Sequence, residues 1–469
     1  MAIFLLHIMI ALTVKELFGL YIQNESGRYT WDWFWQTLPA SALQMDCCRS
    51  IYYLHAQPPF YNLIGAGFIK CFTSNSLEAI HYFHILLGGL MSASAYFILF
   101  SFSRSRAFSL LLAMILAIHP ALFLYQSYAL YTILAAFLVM AALFFLIMHQ
   151  QYRRDYFLLL FLFSLNLLVL TRSVFHIVLL IPALALVALI CKQKKRIMLF
   201  ALLISLLSIS WYIKNEIQFG FFAGSSWGGL GLWKITMQNY TTEEMQEWVD
   251  KGVVDECVVD HYPFTPPAAY EICGFSRKAE HAVLSQNDYN NINIIDISGL
   301  YQRNALRLIR HDPIHYLKNC MYAFIRFTRP SSQFKHLANN REKIHFLDYL
   351  YADILQGQFI KSRLRGIPFG PVLFLLLPTG TLFFLVLLLK TRPTAKTWIK
   401  TINREAPLVF TVCIVIYTLL VGSMLEYGEN DRFKFLIEMP LWSFLLSLPY
   451  IYNRYTHLLR TPDSAPNQN

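Results

Sequence analysis

Long runs of apolar residues constrain the fold of this chain more than any other feature. Eight near-continuous runs occur, at 107–118, 133–148, 156–171, 174–191, 197–213, 371–389, 406–422 and 435–450. A helix needs about 20 apolar residues to cross the hydrocarbon core of a bilayer. Charged residues make up only 14% of the chain, against roughly 25% in soluble domains. The sequence therefore predicts an all-α polytopic membrane protein.

About ten transmembrane helices account for these runs and for the apolar start of the chain, which lacks the basic segment of a signal peptide. We place them at roughly 2–22, 79–101, 107–124, 128–148, 156–171, 174–191, 197–213, 368–389, 406–424 and 435–452. Ten crossings put both termini on one side. The connectors on that side hold most of the basic residues, and the positive-inside rule makes it the cytoplasmic side.

The predicted crossings divide the chain into four parts. Residues 1–213 hold the first seven spans and a first outer loop, 23–78; a large outer loop of 214–367 follows, then three spans in 368–452 and a cytoplasmic tail, 453–469. Residues 58–73 are too short for a span and open with two prolines, which favours an interfacial helix on the outer surface. Cys257 and Cys273 lie in the large loop and could form a disulfide if it faces an oxidising compartment.

The charge pattern excludes several classes of function. The net charge is +11, but the basic residues set the topology, so we predict no nucleic-acid partner. The sequence contains no nucleotide-binding fingerprint or Cys/His metal spacing, and the residues themselves predict no cofactor. Ionisable groups are nearly absent from the middle of the spans, where a transporter would need them. They collect instead at the outer helix ends, which favours an active site at the outer interface.

Carboxylates and polar residues of the first outer loop are the first candidates for that site. Asp32 lies among tryptophans, where apolar surroundings could raise its pKa and make it a general base. It could equally cap an interfacial helix that begins at Trp33, and Asp46 is the competing carboxylate. His55 and Gln57 directly precede Pro58 and are expected near the membrane surface, where they could orient a substrate.

Basic residues at the outer helix ends are the second group of candidates. Arg172 lies between two predicted spans, and a lipid phosphate is its natural partner, although it could simply bind ordinary headgroups. Glu429, Arg432 and Lys434 belong to a charged stretch that runs into the last span. Glu429 and Arg432 are three residues apart and could pair on a helix. Arg432 and Lys434 could bind a phosphate-sugar while carboxylates contact its hydroxyls.

These motifs, in this order, resemble the GT-C superfamily of membrane glycosyltransferases, and most of all the branch of protein O-mannosyltransferases and aminoarabinose transferases. Asp32 resembles the acid that this family carries soon after its first span. Pro58–Tyr61 is similar to the family's Pro-Pro-Leu-Tyr, and Arg172 to its cation in a middle hairpin. Glu429–Phe433 followed by Pro440 resembles the late motif.

The resemblance implies a glycosyltransferase that moves a sugar from a polyprenyl-phosphate carrier to an unknown acceptor on the non-cytoplasmic face, with inversion. Asp32 or Asp46 would be the base; His55, Gln57, Arg172, Glu429, Arg432 and Lys434 would bind substrate. Several family members carry an acid in the stretch that corresponds to 128–132; this chain has none there, so a divalent metal lacks support. A bacterial inner membrane is favoured over the endoplasmic reticulum. The alternative is a lipid or polymer transporter without transferase activity.

Overall fold

The computed structural model describes residues 1–24, 27–32, 36–276, 290–360, 362–390 and 395–460, without the side chains of 390–401 and 457–460. Regular structure in these residues is helical except for one antiparallel pair of short strands, β1 (Arg363–Leu364) and β2 (Ile367–Pro368). The predicted all-α membrane fold is confirmed.

The first half of the chain forms eleven α-helices among the described residues. They are α1 (Ala2–Phe18), α2 (Ala40–Met45), α3 (Cys47–Tyr53), α4 (Phe60–Phe72), α5 (Ser76–Ser103), α6 (Arg106–Ala117), α7 (Pro120–Gln126), α8 (Thr132–Tyr152), α9 (Tyr156–Val169), α10 (Leu180–Ile190) and α11 (Lys194–Phe219). Short 3-10 helices at Thr73–Asn75 and Ile177–Leu179 precede α5 and α10.

The second half adds the helices of the large loop and of the last predicted spans. They are α12 (Gly228–Thr236), α13 (Thr242–Asp250), α14 (Glu256–Asp260), α15 (Asn293–His311), α16 (Pro313–Phe327), α17 (Ala338–Lys343), α18 (His345–Asp348), α19 (Pro371–Lys390), α20 (Ala395–Met424), α21 (Asn430–Phe435) and α22 (Glu438–Arg460). Single-turn 3-10 or π segments occur at Pro267–Cys273, Ser331–Gln333, Lys335–Leu337, Tyr349–Leu355 and Gln358–Ile360.

Every predicted crossing coincides with a helix, but the helices differ in their ability to span a bilayer. By length and composition, five helical segments of the described residues could cross a bilayer. They end at residues 103, 152, 219, 389 and 424. A sixth would consist of α6 and α7, which are bent by 47° at their junction. Helices α9 and α10 are apolar but shorter. The count of ten crossings therefore stays a prediction.

Helix α4 is separate from α5 and folds back against it. The rings of Phe68 and Phe83 lie 5.4 Å apart, whereas residues so separated in one straight helix would be about 22 Å apart. The hydroxyl of Tyr61 lies 3.5 Å from His84 Nε2, and Thr73 breaks the helix with φ 42°. Therefore α5 alone is the candidate span here, and the interfacial placement of α4 stays a prediction.

Buried polar contacts hold α1, α5 and α7 together beneath the first outer loop. His7 Nδ1 lies 2.7 Å from the carbonyl of Ala117, and His7 Nε2 lies 2.7 Å from Gln126 Nε2. The Gln126 carbonyl in turn lies 3.1 Å from His84 Nδ1. Because buried polar groups are costly when unpaired, this network fixes the helix break at α7, and with it the start of α8.

The large loop has a hydrophobic core of its own, separate from the main helix bundle. Its buried members include Trp233, Val258, Ile297 and Tyr301, which come from helices α12, α14 and α15. The disulfide that the sequence left open is present: Cys257 and Cys273 are bonded, with their Cα atoms 6.0 Å apart. Disulfides persist in oxidising compartments; the placement of 214–367 outside the cytoplasm stays a prediction.

Candidate functional site

Arg172 is a buried cation at the end of α9. Its side chain is only 3% exposed, and its guanidinium lies 4.1 Å from the centre of the Phe433 ring and 5.4 Å from that of Tyr131. Burial, and then the nearby charge of Arg432, lower the pKa of Arg172 to about 10, so it remains protonated at neutral pH. A buried guanidinium without an anion is costly.

Arg172 also lacks the polar partners that buried arginines normally have. Its Nη1 is buried without a hydrogen-bond partner, and no carboxylate of the described residues lies within ion-pair distance of it. Arginine presents a planar fork of donors that matches phosphate oxygens in geometry. The side chain is therefore suited to receive an anion from outside the protein.

Arg432 lies beside Arg172 on α21 and is 1% exposed. Its Nη1 is 3.3 Å from Glu429 Oε2, which confirms the pairing expected from their spacing. Its Nη2 donates to the Tyr131 hydroxyl at 3.1 Å and to Gln36 Oε1 at 3.3 Å. The Tyr131 hydroxyl donates in turn to the same Gln36 oxygen. The two arginines thus share one aromatic ring.

Three distant segments build this arrangement. Gln36 comes from the first outer loop, Tyr131 immediately precedes α8, and Arg432 lies in the connector before α22. Asn430 fixes that connector, since its Nδ2 donates to the carbonyls of Gly422 at 2.7 Å and Glu426 at 3.2 Å. The tertiary fold brings the segments together within hydrogen-bonding distance.

A second ion pair lies beside the arginines. Lys234 of α12 pairs with Glu426, and both side chains are largely buried. Burial raises the pKa of Glu426, and Lys234 partly opposes this. Burial would also raise the pKa of Glu429, but Arg432 and Lys234 hold it at about 2. The cluster therefore holds the cations Arg172, Lys234 and Arg432 against two carboxylates, which leaves one positive charge for a ligand.

Asp32 precedes Gln36 of the cluster by four residues, and its side chain is fixed by a hydrogen bond. Its Oδ1 accepts a hydrogen bond from the backbone N–H of Ala40 at 2.8 Å, so it caps the start of α2. Trp31 is buried, and its ring lies 5.6 Å from that of Tyr61, which in turn lies 6.0 Å from Tyr131. The alternative cap at Trp33 falls in 33–35, outside the described residues.

Asp46, the competing carboxylate, makes a different contact. It is exposed and its side chain accepts from the backbone N–H of Arg49 at 3.2 Å, which makes it the N-cap of α3. No contact of the described residues links Asp46 to Arg172 or Arg432. The described contacts of Asp32 do not include either arginine, so the choice between Asp32 and Asp46 as the base stays a prediction.

His55 and Gln57 connect the first outer loop to its surroundings. His55 is fully buried; its Nδ1 lies 2.9 Å from Ser226 Oγ and its Nε2 lies 2.9 Å from the carbonyl of Asn290. Burial lowers the pKa of His55 to about 4. Both ring nitrogens are engaged, so His55 joins the two outer loops. Gln57 lies nearer the cluster, where it accepts from the Ser173 hydroxyl at 3.5 Å.

Lys434 faces a different part of the interior from Arg432. Its Nζ lies 3.4 Å from Glu438 Oε1, donates to the carbonyl of Arg329, and lies 3.4 Å from Gln356 Oε1. It is fully buried. These contacts attach Arg329 and Gln356 of the large loop to α21, and join α21 to the start of α22. The structure thus brings Arg172, Glu429 and Arg432 together, and gives Lys434 other partners.

Tyr131, Gln36, Phe433 and Lys234 belong to the cluster, and sequence reasoning assigned them no role. Tyr131 occupies the stretch in which the resembled family often has an acid, and Gln36 ends the tryptophan-rich segment. The aromatic side chain of Tyr131, at a place where the family often has a carboxylate, was the signal that could have pointed to its role. Lys234 gave none, because it lies in a short helix of the large loop.

The cluster consists of cations and of the carboxylates that form ion pairs with two of them. Among the described residues, the side chains that lie close enough to hold a metal ion together are Cys257, His261 and Cys273. The disulfide occupies both of these sulfurs.

Comparisons with known proteins leave the family of this chain unassigned. No family model matches the chain, and no curated protein matches it. Two solved structures of ArnT from Cupriavidus metallidurans are similar: the apo form, at 13% identity and TM-score 0.33, and the form bound to undecaprenyl phosphate, at 11% and 0.34. They cover 94% and 99% of this chain, and 77% and 81% of ArnT. The overlap assigns no roles to individual residues.

Proposed function

We propose that this protein is a membrane glycosyltransferase that moves a sugar from a polyprenyl-phosphate carrier to an acceptor on the non-cytoplasmic face. The observation that carries the proposal is the buried pair Arg172 and Arg432 around one tyrosine ring. Two adjacent cations, one of which forms no ion pair among the described residues, are suited to bind a phosphate in a helical membrane protein. A helical membrane protein is suited to a donor whose carrier chain lies in the same bilayer.

In the proposed reaction, the acceptor hydroxyl or amine attacks the anomeric carbon from the face opposite the phosphate. The bond between that carbon and the phosphate oxygen breaks, and the carrier phosphate leaves with the electron pair. Arg172 and Arg432 stabilise the charge that develops on it, and such stabilisation is usually the largest catalytic contribution. Asp32 receives the proton of the acceptor, and the sugar is transferred with inversion.

The neighbouring residues have supporting roles in this mechanism. Glu429 fixes the guanidinium of Arg432 through their ion pair and remains available to contact sugar hydroxyls. Gln57 lies beside Ser173, next in the chain to Arg172, and would help to orient the substrate. His55 holds the outer loops together, and Lys434 stabilises the attachment of the large loop to α21. We propose that the protein lies in a bacterial inner membrane and that both of its termini face the cytoplasm.

Transfer of a labelled sugar from a synthetic polyprenyl-phosphate donor by purified protein tests this proposal. We expect activity in the wild type and losses of at least about 100-fold in Asp32→Asn and Arg172→Ala, since removing one preorganised charge or donor typically costs that much. Arg310→Ala, an exposed arginine on α15, serves as the control and should be fully active. Full activity in both site variants would refute the mechanism. A transporter would tolerate Asp32→Asn and show no transfer at all.

A further inference from the structure

A second cluster of arginines lies at the opposite end of the helix bundle from the candidate site. Helix α8 starts next to Tyr131 and runs for 21 residues to Tyr152, a length of about 30 Å. Near its far end, Gln150 lines a small pocket that is open to the outside, together with Arg104, at the end of α5, and Arg454 of α22. This pocket is separate from the proposed transferase chemistry.

The pocket is lined by more positive than negative charge. Glu405 is 3% exposed; its Oε1 is 3.0 Å from Arg404 Nε, and its Oε2 is 2.8 Å from Arg454 Nη2. Arg104 also lines the pocket. Three guanidinium groups therefore face one carboxylate, and Arg454 Nε is buried without a hydrogen-bond partner among the described residues. The arrangement has unused donors and two uncompensated positive charges.

Local backbone geometry opens the pocket. Helix α20 is kinked at Glu405, which has φ −105° and ψ 16°, and Pro407 follows. Proline removes a backbone donor and disrupts the preceding turn of a helix. The kink places the paired Arg404 and Glu405 against the end of α8, where Gln150 donates to the carbonyl of Arg404. Three helix ends and the kink thus form the walls.

We propose that this pocket binds the phosphate group of an anionic phospholipid. Phosphate oxygens match the fork of guanidinium donors, and basic pockets between membrane helices are suited to anionic headgroups. The position at the end of a membrane-length helix puts the pocket at headgroup level, and the surplus positive charge is suited to a phosphodiester. The lipid would join α5, α8, α20 and α22 at the end of the bundle remote from Arg172 and Arg432.

Binding of phosphatidylglycerol to the purified full-length protein in neutral detergent tests this proposal, with native mass spectrometry to count bound lipid and thermal unfolding to report stabilisation. Arg104→Gln is the main variant, because Arg104 is exposed and outside the Glu405 ion pairs. Arg153→Gln is a matched control, since Arg153 is also exposed and ends α8 in the same left-handed conformation, with φ 54° against 60°. Arg454→Gln provides a second site variant, in which Arg404 still pairs with Glu405.

We expect phosphatidylglycerol to bind about tenfold more weakly to Arg104→Gln and Arg454→Gln than to the wild type, because a hydrogen bond to a charged group is lost. Arg153→Gln should bind as the wild type does. Equal affinity in Arg104→Gln and Arg153→Gln would overturn the proposal. So would stabilisation by inorganic phosphate without any by the lipid. The readout needs no sugar transfer, so it is independent of the proposed enzymatic function.

Discussion

Tyr131 and Arg432 are 301 residues apart in the chain, and the hydroxyl of the tyrosine accepts a hydrogen bond from the guanidinium at 3.1 Å. The same ring lies 5.4 Å from the guanidinium of Arg172. Tyr131 thus holds two like charges next to each other, an arrangement that repulsion opposes. An anionic ligand would remove that repulsion, which makes Tyr131 the residue on which the cation pair depends.

Tyr131→Phe should weaken use of the donor without unfolding the protein. The substitution keeps the ring beneath Arg172 and removes the oxygen that Arg432 and Gln36 contact, at a cost of about 1.5–3 kcal/mol for a hydrogen bond to a charged group. We expect kcat/KM for the polyprenyl-phosphate donor to fall at least about tenfold. Tyr301→Phe is the control, since its buried hydroxyl contacts His261 in the large loop. Equal losses in both variants would indicate a general effect on stability.

Gly65→Ala should disturb the placement of Asp32 through Trp31. A Cβ atom at Gly65 would lie 2.3 Å from the Trp31 ring, whereas one at Gly67 would meet no atom within 4 Å. Overpacking of this kind costs about 1–3 kcal/mol, and Trp31 directly precedes the proposed base. We expect lower thermal stability and lower transfer activity in Gly65→Ala. Gly67→Ala, in the same helix, should behave as the wild type in both measurements.

The attachment of the two outer loops should weaken in acid because of His55. The pKa of His55 falls from 6.5 to about 4 in the folded protein, so the unfolded chain binds more protons between these values. The stabilising contribution is complete above pH 6.5 and is lost as the pH falls through 4. Thermal unfolding measured across this range should show a smaller pH dependence in His55→Gln than in the wild type. His345→Gln, an exposed histidine, should leave the wild-type slope unchanged.

Loss of the disulfide should destabilise the large loop selectively. Cys257 and Cys273 are 16 residues apart, and closing a loop of that size contributes about 3 kcal/mol in the chain-entropy model. Denaturant unfolding, followed by tryptophan fluorescence, should shift to lower denaturant in Cys257→Ser. The same shift should follow reduction of the wild type. Cys48→Ser removes an exposed free thiol and should have no effect; a shift there would contradict the assignment.

The location of the helices followed from the sequence because hydrophobicity is a local property. Each predicted span from 79–101 onward overlaps helical structure. The pairing of Glu429 with Arg432 followed from helical spacing. The fold-back of α4 did not follow, because a break at Thr73 and packing between rings depend on contacts made after the helices form.

The contacts of individual site residues were harder to predict than the helices, because they too depend on tertiary packing. Sequence pattern singled out Arg172, Glu429 and Arg432, whose charges are unusual at apolar helix ends, and the structure groups them. It also singled out Lys434 and His55, which the structure gives separate partners. A charged or polar residue next to a span is conspicuous in sequence, but the direction of its side chain depends on distant segments.

The sequence by itself determined that this protein is a helical membrane protein with charged and polar residues gathered at helix ends, since the bilayer imposes that pattern on any chain that enters it. Only the tertiary structure decided which of those residues meet. Gln36, Tyr131 and Arg432 come from three segments with no common local pattern. Their contact depends on how the helices pack, because packing joins segments that are distant in the chain and no local pattern encodes it.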